Sequence, residues 1–156
     1  MATFTSAQAA ASYPVYSGVC PPGVVQRIYG TLEITANPTA ADIYEMVKLP
    51  SGATVIGGHI QASDLDTGTE TLDLDIGWAA NGSDAADPDG FGNLGVLTGD
   101  VSVHTPVAGI YVPLAGVLQT TGVQAFAAET TIQLVCNVTA ATGGTGFLTV
   151  VVDFVM

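Results

Sequence analysis

The stretch TLDLDIGW, residues 71–78, decides the fold because its side chains alternate between apolar and small or polar. Successive side chains of a strand point to opposite faces, so one face collects four apolar residues: Leu72, Leu74, Ile76 and Trp78. Asp73 and Asp75 share the other face, and ionised carboxylates are seldom buried without a partner. The pattern predicts a strand with a buried side and an outer side, whose two aspartates meet solvent or a partner protein.

The same period of two recurs along the chain and predicts about eight strands. They fall at 24–34, 41–49, 53–62, 71–80, 94–104, 107–118, 129–138 and 146–156, each bounded by Gly, Pro, Asn or Thr. The turns PSG (50–52) and TGGTG (142–146) are interpreted as hairpin connections. Many short alternating strands predict an all-β fold: an antiparallel β-sandwich or barrel, jelly-roll-like.

Residues 1–24 lack this period and end in CPPG (20–23), whose prolines prevent regular backbone hydrogen bonding. We therefore expect an extended N-terminal arm over 1–24 and a β-sandwich domain over 25–156. The first residues lack the basic and continuously apolar regions of a secretory signal, and no apolar run has the length of a membrane span. Aromatic side chains in such an arm suit the grooves of a partner protein.

Charge excludes one large class of partner. The chain has two basic and fourteen acidic residues, a net charge of −12. Binding to nucleic acid depends on Lys and Arg that neutralise phosphates, so nucleic acid is excluded as a partner. The same charge repels anionic membrane surfaces, and no membrane partner is expected.

Candidate metal ligands are present but their sets are incomplete. The segment NGSDAADPDGFGN (81–93) brings together Asp84, Asp87 and Asp89, yet it lacks the closing Glu of an EF-hand and is interpreted as a solvated loop. His59 and His104 are the only histidines, fewer than a cupin-like metal site requires. We therefore predict no metal and no cofactor.

Candidate nucleophiles are equally unsupported. Cys20 and Cys136 have neither CxxC spacing nor basic neighbours, which favours two free thiols and leaves one disulfide open. A nucleophile elbow, G-x-S-x-G, does not occur in the sequence. We predict no catalytic residues and no enzymatic activity.

Three stretches together resemble a known family: KLPSGATVIGGHI (48–60), TLDLDIGW (71–78) and GFLTVVVDFV (146–155). They are similar to segments of the small capsid decoration, or cement, proteins of tailed bacteriophages. The resemblance implies a β-sandwich made in the host cytoplasm and located on the capsid exterior of the virion. It also implies a homo-oligomer, a trimer rather than a dimer, that braces neighbouring subunits of the major capsid protein.

The resemblance carries over no catalytic motif, so the expected site is a contact surface. The residues predicted to bind partners are the arm aromatics and the two strand aspartates: Phe4, Tyr13, Tyr16, Asp73 and Asp75. One alternative is a carbohydrate- or receptor-binding β-sandwich of a virion, although the single tryptophan, Trp78, lies on the apolar stripe rather than on a sugar platform. A second alternative, a cupin-like enzyme, is weakened by the missing histidines.

Overall fold

The alternating stretches form ten strands and one short helix in a computed structural model that describes residues 1–13, 23–66, 71–96 and 110–156. The elements are β1 (Thr3–Thr5), β2 (Gln26–Ile34), β3 (Ile43–Leu49), β4 (Thr54–Ala62), β5 (Asp73–Trp78), β6 (Asp87–Val96), β7 (Ile110–Pro113), α1 (Val117–Thr121), β8 (Gln124–Ala125), β9 (Thr130–Val138) and β10 (Gly146–Val155). Most of the predicted strands are confirmed to within a few residues. The predicted 94–104 strand lies largely outside the described residues.

Two sheets face each other as a sandwich. The first sheet has the order β1-β3-β9-β5-β6, and the second has the order β2-β10-β4-β7 with β8 paired to β4. β1 runs parallel to β3, and every other described pair is antiparallel. Without β1 and β8, eight strands remain in the order of a jelly roll, in which the chain passes repeatedly between the sheets. The all-β, jelly-roll-like prediction is confirmed, and the sandwich is the correct alternative to the barrel.

The two turns interpreted as hairpins connect different sheets, so that interpretation was wrong. Residues 50–52 lead from β3 in the first sheet to β4 in the second, and residues 142–146 lead from β9 to β10. Glycine and proline specify that the chain reverses direction. They do not specify whether the returning strand pairs with the previous one or packs opposite it.

The acidic segment 81–93 is only partly a loop, because β6 already begins at Asp87. β6 lies at the edge of the first sheet. An edge strand tolerates Pro88, whose missing N–H would break the hydrogen bonding of a central strand. Before it, Asn81 organises a tight turn, since its Oδ1 accepts the N–H groups of Ser83 at 2.9 Å and Asp84 at 2.6 Å.

The apolar stripe that defined the fold fills the space between the sheets. Leu72, Leu74, Ile76 and Trp78 are all buried, which confirms their predicted face. The ring of Trp78 lies 5.0 Å from that of Phe91 and 5.3 Å from that of Phe126, and its indole N–H donates to the carbonyl of Ala85 at 3.0 Å. The tryptophan is a core residue, with its polar atom satisfied.

Asp66, in the acidic turn before β5, anchors this end of the sandwich. Its Oδ2 accepts the backbone N–H groups of Thr71 and Leu72, and the N–H groups of Ala141 and Thr142 reach its two carboxylate oxygens, at 2.8 to 3.1 Å. Burial opposes the charge, but these four donors outweigh it and lower the pKa of Asp66 to about 2. One carboxylate thus fastens two segments that are far apart in sequence.

Candidate interaction surfaces

The predicted pair of aspartates lies on the outer face of the first sheet, on β5. This strand lies inside the sheet between β9 and β6. Both aspartates lie on the predicted outer side, but Asp73 is half-buried and Asp75 is only 8% exposed within this chain. Neighbouring strands cover an inner strand from both sides, and the alternation of a single strand does not reveal that cover.

The hydrogen bonding of this pair is incomplete. The Nδ2 of Asn137 donates to Oδ2 of Asp75 at 2.6 Å. The Oδ1 atoms of Asp73 and Asp75 are both buried and have no hydrogen-bond partner in the described part of the chain. Burial, and secondly the charge of Asp75, raise the pKa of Asp73. The pair is therefore a region of unbalanced negative charge that suits hydrogen-bond donors or cations of a partner protein.

The N-terminal residues lie against the edge of the first sheet. β1 pairs with β3, Ala2 N–H donates to Oδ1 of Asp42 at 2.8 Å, and the ring of Phe4 stacks on that of Tyr44 with centroids 5.3 Å apart. Phe4 remains 38% exposed and Tyr13 43% exposed, while Tyr16 lies outside the described residues. The boundary of an arm at residue 24, and its contact with another subunit, stay predictions.

The outer face of the second sheet is a surface that the sequence interpretation missed. We call it the aromatic face, and it consists of Arg27, Tyr29, Thr31, His59, Gln61, Tyr111, Phe147, Thr149, Val151 and Asp153. Tyr29 pairs across to Val151, which pairs in turn to His59. Tyr29 is 59% exposed and Phe147 is 54% exposed. Large aromatic side chains at such exposure are typical of binding surfaces.

Charge is balanced on the aromatic face. Arg27 donates from Nε and Nη2 to the two carboxylate oxygens of Asp153 at 2.7 and 2.8 Å. The rings of His59 and Tyr111 stack with centroids 4.6 Å apart. Burial, and secondly the charge of Arg27, lower the pKa of His59 and so favour its neutral imidazole. Apart from Glu33 beside Phe147 at one end, the face has no net charge.

The other candidate residues do not form a site among the described residues. Cys136 is a free, buried thiol, and burial raises its pKa to about 11, whereas Cys20 and His104 lie outside the described residues. In the ranges that the structure describes, no three residues among His, Cys, Asp and Glu come together to hold a metal ion. No helix of the described chain has the length and apolar character needed to cross a membrane.

Comparisons with known proteins return structures and no family. No protein-family model and no curated protein matches the chain. A chain in a structure titled "Capsid of Ralstonia phage GP4" is 19% identical with a TM-score of 0.77, over 99% of this chain and 98% of the other. A chain in "Cyanophage Pam1 capsid asymmetric unit" is 25% identical with a TM-score of 0.65, over 97% of this chain and 96% of the other.

A third similar chain comes from "Acidic stable capsid structure of Helicobacter pylori bacteriophage KHP30". It is 15% identical with a TM-score of 0.54, over 85% of this chain and 94% of the other. At these identities the likeness shows a shared fold. That fold extends over nearly the full length of this chain, and all three solved structures are phage capsids.

Proposed function

We propose that this chain is a structural protein of a tailed-phage virion that binds the outside of the capsid and stabilises contacts between major capsid protein subunits. The observation that carries the proposal is the likeness, across 99% of the chain, to a chain of the Ralstonia phage GP4 capsid. The protein acts as a homo-oligomer, without enzymatic activity, and is made in the host cytoplasm before it joins the virion. Its proposed role is to form contacts with capsid proteins and with other copies of itself.

The acidic surface supports attachment to a shell. Fourteen acidic residues against two basic ones leave most of the surface negative. On β5, Asp73 and Asp75 lie on the outer face, Asp73 is half-buried, and each has a buried oxygen without a hydrogen-bond partner among the described residues. Their negative charge attracts cationic groups of a shell protein, so Asp73 and Asp75 belong to the proposed capsid contact, together with Phe4, Tyr13 and Tyr16 at the N-terminal end.

Co-sedimentation with capsids tests the proposal. Purified protein is mixed with phage capsids that lack it, and the particles are pelleted at low and high salt. We expect saturable binding, a higher temperature of capsid disruption, and weaker binding at high salt because an acidic contact is screened. Asp73→Asn should reduce retention, while Val123→Ser, a change at an exposed residue far from β5 in sequence, is the control. Absence of binding to any capsid surface would refute the proposal.

A second candidate is a carbohydrate- or receptor-binding module of a virion. It is favoured by one observation, the exposed Tyr29 and Tyr111 beside His59 on the aromatic face, because sugar rings stack on exposed aromatic side chains. A glycan array distinguishes the two. Binding of a defined glycan that is lost in Tyr29→Ser would favour this candidate, and a blank array would leave the capsid role.

A further inference from the structure

The aromatic face is the part of the described surface where apolar exposure and charge balance coincide. Tyr29, Tyr111 and Phe147 are all among the exposed large apolar residues of the chain. Around them, the bidentate pair of Arg27 and Asp153 cancels its own charge. Exposed aromatic side chains that share one face of a sheet are typical of binding surfaces, which indicates that this face has a partner.

We propose that this occupant is a second copy of the same chain, and that the aromatic face is the self-association surface of the protein. Electrostatic repulsion limits where two copies can meet. Two copies that each carry a net charge of −12 repel one another wherever their acidic surfaces meet. A face whose charges balance except for Glu33 at one end, and whose aromatic side chains gain by leaving water, is where like-charged copies can approach.

A basic partner protein is less favoured at the aromatic face than at the acidic regions of the chain. A shell protein with a positive surface is attracted to the acidic regions of this chain, such as the outer face of the first sheet with Asp73 and Asp75, and gains little at a neutral one. The two outer faces of the sandwich therefore have different partners. This inference rests on the proposed function, because that function includes a homo-oligomer. The inference adds which surface the copies use to associate.

Sedimentation velocity over a range of protein concentrations tests the assignment. The wild type should form a defined oligomer, and Tyr29→Asp and Tyr111→Asp should each weaken association by about tenfold or more, because each places a carboxylate in the contact. Val123→Asp is the control, since Val123 is 44% exposed, similar to Tyr111, and lies outside the aromatic face. Circular dichroism and the thermal midpoint establish that each variant is folded.

The dependence of self-association on salt concentration is a second test, because it should be opposite to that of capsid attachment. Raising NaCl from about 50 mM to about 500 mM should strengthen self-association, because it screens the repulsion between like-charged copies while the apolar contact persists. Capsid attachment through acidic residues should weaken over the same range. A common interface for both contacts would give the same sign in both measurements and would overturn the assignment.

The outcomes separate this inference from the proposed function. A wild type that is monomeric at all concentrations, an oligomer that Tyr29→Asp and Tyr111→Asp leave intact, or equal dissociation by Val123→Asp each overturns the self-association surface. A monomer whose aromatic face binds a glycan overturns it as well. Wild-type protein that self-associates through this face but never binds capsids refutes only the capsid role. A monomeric Tyr29→Asp that still attaches to capsids supports both.

Discussion

The outer faces of the two sheets treat their carboxylates in opposite ways. On the first sheet, Asp73 and Asp75 stand two residues apart on one strand, and each has a buried oxygen without a donor among the described residues. On the second sheet, both oxygens of Asp153 accept hydrogen bonds from Arg27. The outer face of the first sheet thus has buried carboxylate oxygens without donors among the described residues, whereas the aromatic face has a paired carboxylate and exposed aromatic side chains. The two faces suit different kinds of contact.

The largest loss of stability is expected on the inner side of β5, the strand whose outer side carries Asp73 and Asp75. This loss is the reference for the outer-face substitutions. Leu74 is buried between the sheets. Leu74→Ala should lower the free energy of unfolding by about 2 to 5 kcal/mol, through lost burial and a residual cavity. Urea denaturation measures the loss. A cost below that of an outer-face substitution would mean that the faces of β5 are assigned backwards.

A smaller effect is expected when the best-satisfied carboxylate of the acidic stretch is altered. Asp66→Asn leaves a single acceptor oxygen where four backbone N–H groups now converge. The loss should be roughly 2 to 3 kcal/mol at neutral pH, by urea denaturation. Because the pKa of Asp66 is lowered to about 2, its contribution in the wild type is complete above the ordinary Asp pKa and disappears as pH falls toward 2. A loss that is independent of pH between about 5 and 2 would contradict this role.

The same substitution should have opposite signs on the two faces. Asp75→Asn removes the charge that repels Asp73 and keeps an oxygen that can accept from Asn137, so we expect a gain of about 1 kcal/mol. Asp153→Asn removes the partner of an exposed arginine and should cost less than about 1 kcal/mol, since exposed ion pairs contribute little. Paired urea denaturation curves at neutral pH measure both, and equal signs would end the distinction between the faces.

The smallest effect is the pH dependence that Asp73 contributes on the first face. The folded pKa of Asp73 is raised above its unfolded value, so ionisation of Asp73 destabilises the native state. As pH falls from about 7 toward about 4, the folded protein takes up this proton first and a few tenths of a kcal/mol should be recovered. Asp73→Asn should lack this increment relative to the wild type, whereas Asp153→Asn should retain it. Identical dependence of the unfolding free energy on pH in the wild type and in Asp73→Asn would contradict this contribution of Asp73.

The period of two in the sequence was sufficient for the strands and for the inner face. It identified the stripe from Leu72 to Trp78 and most of the strand positions, because side-chain alternation is a property of a single strand. It did not assign strands to sheets, since the turns at 50–52 and 142–146 specify only a reversal. The burial of Asp75 also escaped it, because burial on an inner strand depends on the neighbours.

The aromatic face escaped sequence analysis for a related reason. Tyr29 and Val151 are opposite each other only because β2 and β10 pair, although more than a hundred positions separate them in the chain. Each of the four strands contributes one to four residues to this surface, and no local pattern marks them. The arm aromatics drew attention because they cluster in sequence, whereas the aromatic face clusters only in space.

The position of β10 has a consequence for how the protein is made. β10 lies between β2 and β4, and pairs with each along most of its length. During synthesis, β2 and β4 therefore lack their shared neighbour until residue 155 has left the ribosome, and the nascent chain exposes two unpaired strand edges. We expect the second sheet to form only after β10 has been synthesised, and chains truncated before β10 to aggregate.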